Sequence, residues 1–122
     1  MSTILLSIHP KFVDKIMTGE KKFEFRRVIA KRNPNKIIIY STSPVCKVIG
    51  EAEVEDIIID NPEKVWKETK KFSGVEKEFY VEYFDNRDLA VAYKLKNVIK
   101  YISPIDLRDF GIKVAPQSFV YV

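Results

Sequence analysis

Residues 22–26 alternate strictly between charged and aromatic side chains. In a strand, successive side chains point to opposite faces, so Phe23 and Phe25 share one face and the charged residues share the other. Gly19 precedes this stretch at a position where a left-handed residue often ends a helix. The pattern therefore predicts a glycine turn followed by a strand that its two phenylalanines anchor to the core.

Other stretches of the chain predict strands and helices in a mixed order. Pro10 suits the first turn of a helix, because its missing N–H would have no partner there. Asn61-Pro62 is a typical start of a second helix, and Ser73 with Glu76 forms a capping-box pattern for a third. The predicted strands are Thr3–Ile8, 22–26, Lys36–Ser41, Lys47–Asp60, 88–99 and 119–122, with a short turn or helix at 104–109.

This order of elements decides the expected fold class. Five or six strands with short helices inserted at two points favour an α+β fold, a small and partly open β-barrel, over a parallel sheet. A length of 122 residues fits one domain, residues 1–122, that can bury a core of its own.

Composition narrows the classes of protein that the chain can represent. With 46% hydrophobic and 31% charged residues, it has neither the signature of disorder nor a long apolar run for a membrane. The apolar stretch at residues 4–8 is interrupted by Ser7, which argues against a secretory leader. Cys46 is the only cysteine and His9 the only histidine, so we expect no internal disulfide, no metal site and no cofactor. We also expect the Cys46 thiol to be buried and inert, and the protein to be cytoplasmic.

The net charge of +4, with a pI near 9.1, has two interpretations. A basic surface raises the local concentration of phosphates and so favours an anionic partner. A surface rich in Lys and Glu is also typical of proteins from heat-adapted organisms. Charge alone leaves both interpretations open.

The pattern Gly-x-Lys-x-x-Glu-x-Arg at residues 19–26 holds the residues best suited to chemistry. Lys21 offers a compact cation to a phosphate or carbonyl oxygen, Glu24 accepts from amino or hydroxyl donors, and Arg26 binds an anion or stacks on a base. A neighbouring acid and base also serve proton transfer. The alternative is that all three merely solvate the outer face of a strand.

The chain resembles the ASCH domain family over almost its whole length. The motif of residues 19–26 is followed in family order by 39–44 (IYSTSP), 49–51 (IGE) and 116–119 (PQSF). The resemblance implies a PUA-like β-barrel with a cleft beside the motif that binds RNA or a nucleotide-like ligand. It also implies that Lys21, Glu24 and Arg26 line that cleft.

Four further polar residues are candidates for ligand binding. Their hydroxyl or amide groups would bond to a phosphate or a base edge, although such residues also end strands or satisfy loop backbone. They are Ser41, Ser43, Gln117 and Ser118. Tyr40, Tyr80 and Tyr83 would suit base stacking, but burial in the core is the favoured interpretation.

The resemblance also leaves an enzymatic alternative open. Some small family members are amidohydrolases that deacetylate N4-acetylcytidine with a lysine, a threonine and a glutamate, and others have been connected with RNA cleavage. Lys21 matches the lysine, but Glu24 stands in place of the threonine and would act as a base toward water. Glu78 is the candidate third catalytic residue, or an ordinary solvent-facing glutamate. The sequence favours a binding module over a metal-independent hydrolase, and names no protein partner.

Overall fold

The computed structural model describes residues 2–122. Strands and helices follow one another in the mixed order that the sequence indicates. They are β1 (Thr3–Ile8), α1 (Pro10–Thr18), β2 (Phe23–Arg26), β3 (Lys36–Ser41), β4 (Lys47–Asp60), α2 (Pro62–Thr69), α3 (Lys77–Tyr83), β5 (Ala90–Ile105) and β6 (Phe119–Tyr121), with 3-10 helices at Lys70–Phe72 and Leu107–Phe110.

All the strands named above join one mixed sheet in the order β2-β5-β4-β3-β1-β6. β1 pairs with β3 in parallel, whereas the other pairings are antiparallel. The register shifts along β4 and β5, and such bulges bend a strand and allow its sheet to curl. The sheet forms a curled half-barrel, which confirms the predicted α+β fold.

The ends of the first helix follow the sequence signals. α1 begins at Pro10, and the Nδ1 atom of His9 accepts a hydrogen bond from the amide of Lys11 at 3.2 Å. It ends at Gly19, whose φ of 86° lies in the left-handed region. Asn61 caps α2 in a similar way through its side-chain oxygen. These predicted boundaries are confirmed.

The predicted capping box at Ser73 is wrong. α3 begins at Lys77 with Glu76 in the N-cap position, and no side-chain hydrogen bond caps it. The Ser73 hydroxyl instead lies 3.1 Å from the carbonyl oxygen of Val75. Gly74, at φ 70°, turns the chain before the helix can start.

Two other details of the sequence interpretation are also wrong. Cys46 is exposed rather than buried, because it lies in the turn after β3 with a positive φ of 54°. β5 extends well past Ile99 to Ile105, since its distal part pairs with the long β4. Tyr40, by contrast, is buried as expected.

The two faces of the sheet pack against different helices. Val91, Tyr93 and Leu95 of β5 join the cluster of buried residues that contains Val13 and Ile16 of α1. The intervening β5 residues Ala90 and Ala92 join a second cluster with residues of α2 and α3. Period-two alternation along β5 therefore divides the core into two layers. Among residues 2–122, no helix combines the length and apolar character needed to cross a membrane.

Candidate functional site

Three charged side chains of the Gly-x-Lys-x-x-Glu-x-Arg motif lie buried side by side. Lys21, Glu24 and Arg26 are 2%, 6% and 9% exposed, and we call them the charged cluster. Glu24 stands in the middle, with Oε1 3.8 Å from the Lys21 ammonium and Oε2 2.8 Å from Nη2 of Arg26. The interpretation of these residues as a solvated strand face is therefore wrong.

The register of the sheet explains this burial. Glu24 lies opposite Tyr93 and Arg26 lies opposite Val91, and directly paired residues project from the same face. That face carries the α1 side of the core. Phe23 and Phe25 project to the other face, as predicted, and pack in the layer formed with α2 and α3. β2 is thus covered on both faces.

Lys21 is held by backbone and by aromatic rings. Its ammonium donates a hydrogen bond of 2.6 Å to the carbonyl oxygen of Ser73. The nitrogen also lies 5.3 Å from the ring centre of Phe12 and 4.8 Å from that of Phe25, within the range of cation–π attraction. A Cβ added at Gly74 would lie 2.6 Å from Cγ of Lys21, so only glycine leaves room for the lysine stem.

Burial changes the acidity of this lysine. Loss of solvation lowers the pKa of Lys21 from 10.5 to about 8, because the charged form is penalised in the interior. The charge of Glu24 opposes this effect, whereas Arg26 and Lys15 reinforce it. Lys21 therefore loses its proton more readily near neutral pH than an exposed lysine does, and its neutral form can accept a proton.

Arg26 links the charged cluster to both ends of the chain. Its Nη2 donates to the carbonyl oxygen of Ser7 at 2.8 Å, and its Nη1 lies 3.4 Å from the hydroxyl of Ser118. Within residues 2–122 the Nε atom is buried without a hydrogen-bond partner. With two cations around one carboxylate, the charged cluster has an excess positive charge and suits an anionic or electron-rich ligand.

A small cavity of about 150 Å³ opens above the charged cluster. Half of the residues in its walls are aromatic, and the walls come from the end of β1, from α1 and β2, and from α3 with the segment before it. They include His9, Phe12, Phe25, Phe79, Tyr80 and Tyr83. A larger hollow of about 690 Å³ lies by α2 and α3 near Trp66, but it contains none of the motif residues. We place the candidate site at the smaller cavity because buried charges with a shifted pKa meet an opening there.

The structure brings only part of the predicted residue set together. Ser118 joins the charged cluster through Arg26. Ser41 is buried on β3, and Ser43 and Gln117 are exposed, but none of these three lines the cavity. Glu78 is exposed on α3 and does not line the cavity either. The α3 residues that line the cavity are Phe79, Tyr80 and Tyr83.

Sequence reasoning missed several contributors to the cavity. Phe12 and Phe79 had helical spacing that equally fits an ordinary core position, so no local signal marked them. The Ser7 carbonyl oxygen, which accepts a hydrogen bond from Arg26, could not be identified from the sequence either. A backbone acceptor leaves no signature in the side-chain pattern.

Comparison with known proteins gives consistent matches. A family model described as the ASCH domain matches residues 6–99. An ASCH domain-containing ribonuclease of Zymomonas mobilis is 33% identical over 104 residues, which cover 84% of this chain and 70% of that protein. The crystal structure of ASCH from Zymomonas mobilis superimposes with a TM-score of 0.89 and 30% identity, covering 98% of this chain and 87% of that one.

A further match comes from a longer protein. The large ribosomal subunit protein uL22 of Ureaplasma parvum serovar 3 is 30% identical over 121 residues. The aligned region is 98% of this chain, but the chain spans only 39% of that relative's length.

Proposed function

Because the chain belongs to the ASCH domain family, we propose that it binds RNA or a nucleotide-like ligand at the charged cluster. The observation that supports this most is the burial of Lys21, Glu24 and Arg26, with excess positive charge, beneath a small aromatic cavity. Cationic groups attract phosphate, and aromatic walls accept bases.

Loss of hydration strengthens the electrostatic contacts that the charged cluster can make with a ligand. A cation that has already lost its water makes stronger electrostatic contacts than one on the surface, since the surrounding dielectric is low. Lys21 is fixed by Ser73 and Arg26 by Ser7, so neither side chain has to be ordered when a ligand arrives. The site is therefore preorganised for a phosphate or carbonyl oxygen.

Binding of a short single-stranded oligoribonucleotide tests this function. Lys21→Ala and Arg26→Ala are each expected to weaken binding by about 10- to 100-fold, the range for loss of a hydrogen bond to a charged group. The slope of log K against log salt should also become shallower by about one unit if the lost contact is to a phosphate. Fluorescence anisotropy at two salt concentrations measures both.

Lys22→Ala is the matched control, because it removes the same charge from an exposed neighbouring position. Its effect on affinity should be small. Equal affinity of the parent, Lys21→Ala and Arg26→Ala would contradict the assignment of the site. Competition by nucleoside monophosphates shows whether a single nucleotide is a sufficient ligand.

A second candidate function is catalysis, either RNA cleavage or hydrolytic deacylation, because Lys21 has a pKa of about 8 and lies beside a carboxylate. In RNA cleavage, neutral Lys21 would take the proton of a ribose 2′-hydroxyl, and the freed oxygen would attack phosphorus and expel the 5′-oxygen, leaving a 2′,3′-cyclic phosphate. A water molecule would protonate the 5′-oxygen, and the hydroxide that remains would take the proton back from Lys21. Arg26 would stabilise the charge that develops on the phosphate. Deacylation of N4-acetylcytidine is the other reaction to assay, with Glu24 as base toward water.

Cleavage by this route predicts a distinct pH profile. The rate should rise about tenfold per pH unit up to pH 8 and then level off, because the neutral form of Lys21 is the base. Lys21→Arg keeps the charge but cannot lose its proton, so it should lower the rate by about 100-fold or more. Chromatography of RNA and N4-acetylcytidine reactions between pH 6 and 9 measures the products.

Lys22→Arg serves as the control and should leave the rate unchanged. Equal rates for the parent and Lys21→Arg would exclude Lys21 as the base. If no product forms from either substrate at high protein concentration, binding alone remains.

A further inference from the structure

Phe79 is an exposed aromatic residue at the mouth of the cavity. Although its ring is large and apolar, 46% of the residue is exposed. Its ring lies nearly parallel to that of Tyr83, one helical turn later on α3, with 10° between the planes and 6.1 Å between the centres. Phe12 of α1 contacts it edge-on, with the ring centres 5.3 Å apart. Such a ring above a cationic floor resembles a platform for stacking.

The Tyr83 ring beside Phe79 is already engaged by other groups. The Tyr83 hydroxyl donates a hydrogen bond of 3.3 Å to the carbonyl oxygen of Phe25, and the Arg27 guanidinium lies 4.3 Å from the Tyr83 ring centre. A base cannot enter between Phe79 and Tyr83, because two stacking contacts need about 7 Å and the ring centres are 6.1 Å apart. Of this pair of parallel rings, the outer surface of Phe79 is what remains for a ligand.

Charge around the mouth complements a nucleic acid strand. Lys11 lies on the α1 side, 5.6 Å from the Phe12 ring centre, and Arg27 lies on the α3 side. Neither these cations nor the acidic residues Glu78 and Glu82 of α3 line the cavity itself, but both cations lie against rings of its wall. Cations therefore flank the aromatic surface on two sides, where the phosphates before and after one bound base would lie.

We propose that Phe79 stacks on one unpaired base of RNA, whose phosphates lie near Lys11 and Arg27 and whose polar edge points to the charged cluster. This inference rests on the proposed RNA-binding function. The cavity volume of about 150 Å³ is below the usual range for a complete drug-sized ligand, so it admits a fragment such as a single base. Bases in a duplex are stacked on each other and cannot reach the platform.

A short oligoribonucleotide that carries 2-aminopurine at one position tests the platform. Phe79→Ala is expected to weaken binding by about 5- to 100-fold, the effect of removing one stacking ring, and to abolish the fluorescence change of the probe on binding. The salt dependence should stay as in the parent, since no phosphate contact is lost. Phe79→Tyr should restore the affinity and the signal, and a blunt duplex of the same sequence should bind more weakly than the single strand.

Val81→Ala is the matched control, because Val81 is 58% exposed on the same helix and does not line this cavity. If Phe79→Ala and Val81→Ala bind the oligoribonucleotide with equal affinity while Lys21→Ala binds it more weakly, Phe79 is not a stacking platform and the proposed function stands. If the parent binds no RNA, both are wrong. Thermal melting of Phe79→Ala, expected to be close to that of Val81→Ala, ensures that unfolding does not mimic the result.

Discussion

Glu24→Ala is expected to lower the free energy of unfolding by about 3–5 kcal/mol, the usual cost of breaking a buried ion pair by removing one partner. Glu24 is the only carboxylate of the charged cluster, and its loss leaves Lys21 and Arg26 buried beside each other. Lys21 then lowers the cost by releasing its proton, so its pKa should fall below the value of about 8 in the parent. Urea denaturation followed by circular dichroism measures the change.

The pH dependence of the same variant gives an independent check. A lysine whose pKa is lower in the folded state binds fewer protons there than in the unfolded state, so the stability rises with pH between the two pKa values. In the parent this window runs from about 8 to 10.5. In Glu24→Ala the stability should begin to rise at a lower pH than in the parent, because the pKa of Lys21 is lower. The difference in stability between the variant and the parent should therefore be smaller at pH 9 than at pH 7.

Glu55→Ala is the control for Glu24→Ala. Glu55 also forms an ion pair, 2.8 Å from Lys94, but both side chains are 43% exposed. Surface pairs of this kind contribute about 0–1 kcal/mol. Equal losses of stability in the two variants would show that burial of the charged cluster has no energetic consequence.

Gly50→Ala is expected to destabilise the fold by about 3 kcal/mol, at the upper end for overpacking a dense site. A Cβ at this position would overlap the carbonyl oxygen of Ile99 on the paired strand and lie 2.9 Å from the Met17 methyl carbon. A carbonyl in a ladder cannot move aside as a flexible side chain can. The register of β4 and β5 shifts here between Val48 and Gly50, where the two backbones approach closely.

A thermal melt tests this second prediction, and a loss of 3 kcal/mol corresponds to a Tm lower by about 10 °C for a chain of this size. Gly111→Ala is the matched control. Gly111 has a φ of 73° and nothing within 4 Å of an added Cβ, so it incurs only the cost of a left-handed backbone, about 1–2 kcal/mol. A Tm of Gly50→Ala that is equal to or higher than the Tm of Gly111→Ala would contradict the steric argument.

The sequence predicted the strand at residues 22–26 and the division of its side chains between two faces, because alternation is a local property. It could not show that the polar face is buried. That depends on the pairing of Glu24 with Tyr93 and Arg26 with Val91, far along the chain, and on the side of the sheet that α1 covers. The same pattern would occur in a strand whose charged face meets water.

Other differences between sequence and structure have similarly nonlocal causes. The end of β5 at Ile105 is decided by the length of β4, not by residues near Ile99. The exposure of Phe79 depends on how α3 sits over β2, whereas its helical spacing would suit a core residue equally well. Ser73 matched a capping pattern, but the left-handed turn at Gly74 delays the helix.

The bond from the Lys21 ammonium to the Ser73 carbonyl has a consequence for protein design. The lysine and the carbonyl that receives its hydrogen bond are 52 residues apart in the sequence, and Gly74 fits against the lysine stem. The pair of helices between β4 and β5 is therefore part of the socket for this lysine and not an interchangeable insertion. If the motif of residues 19–26 were transplanted onto another half-barrel, the segment equivalent to residues 73 and 74 would have to be transplanted as well.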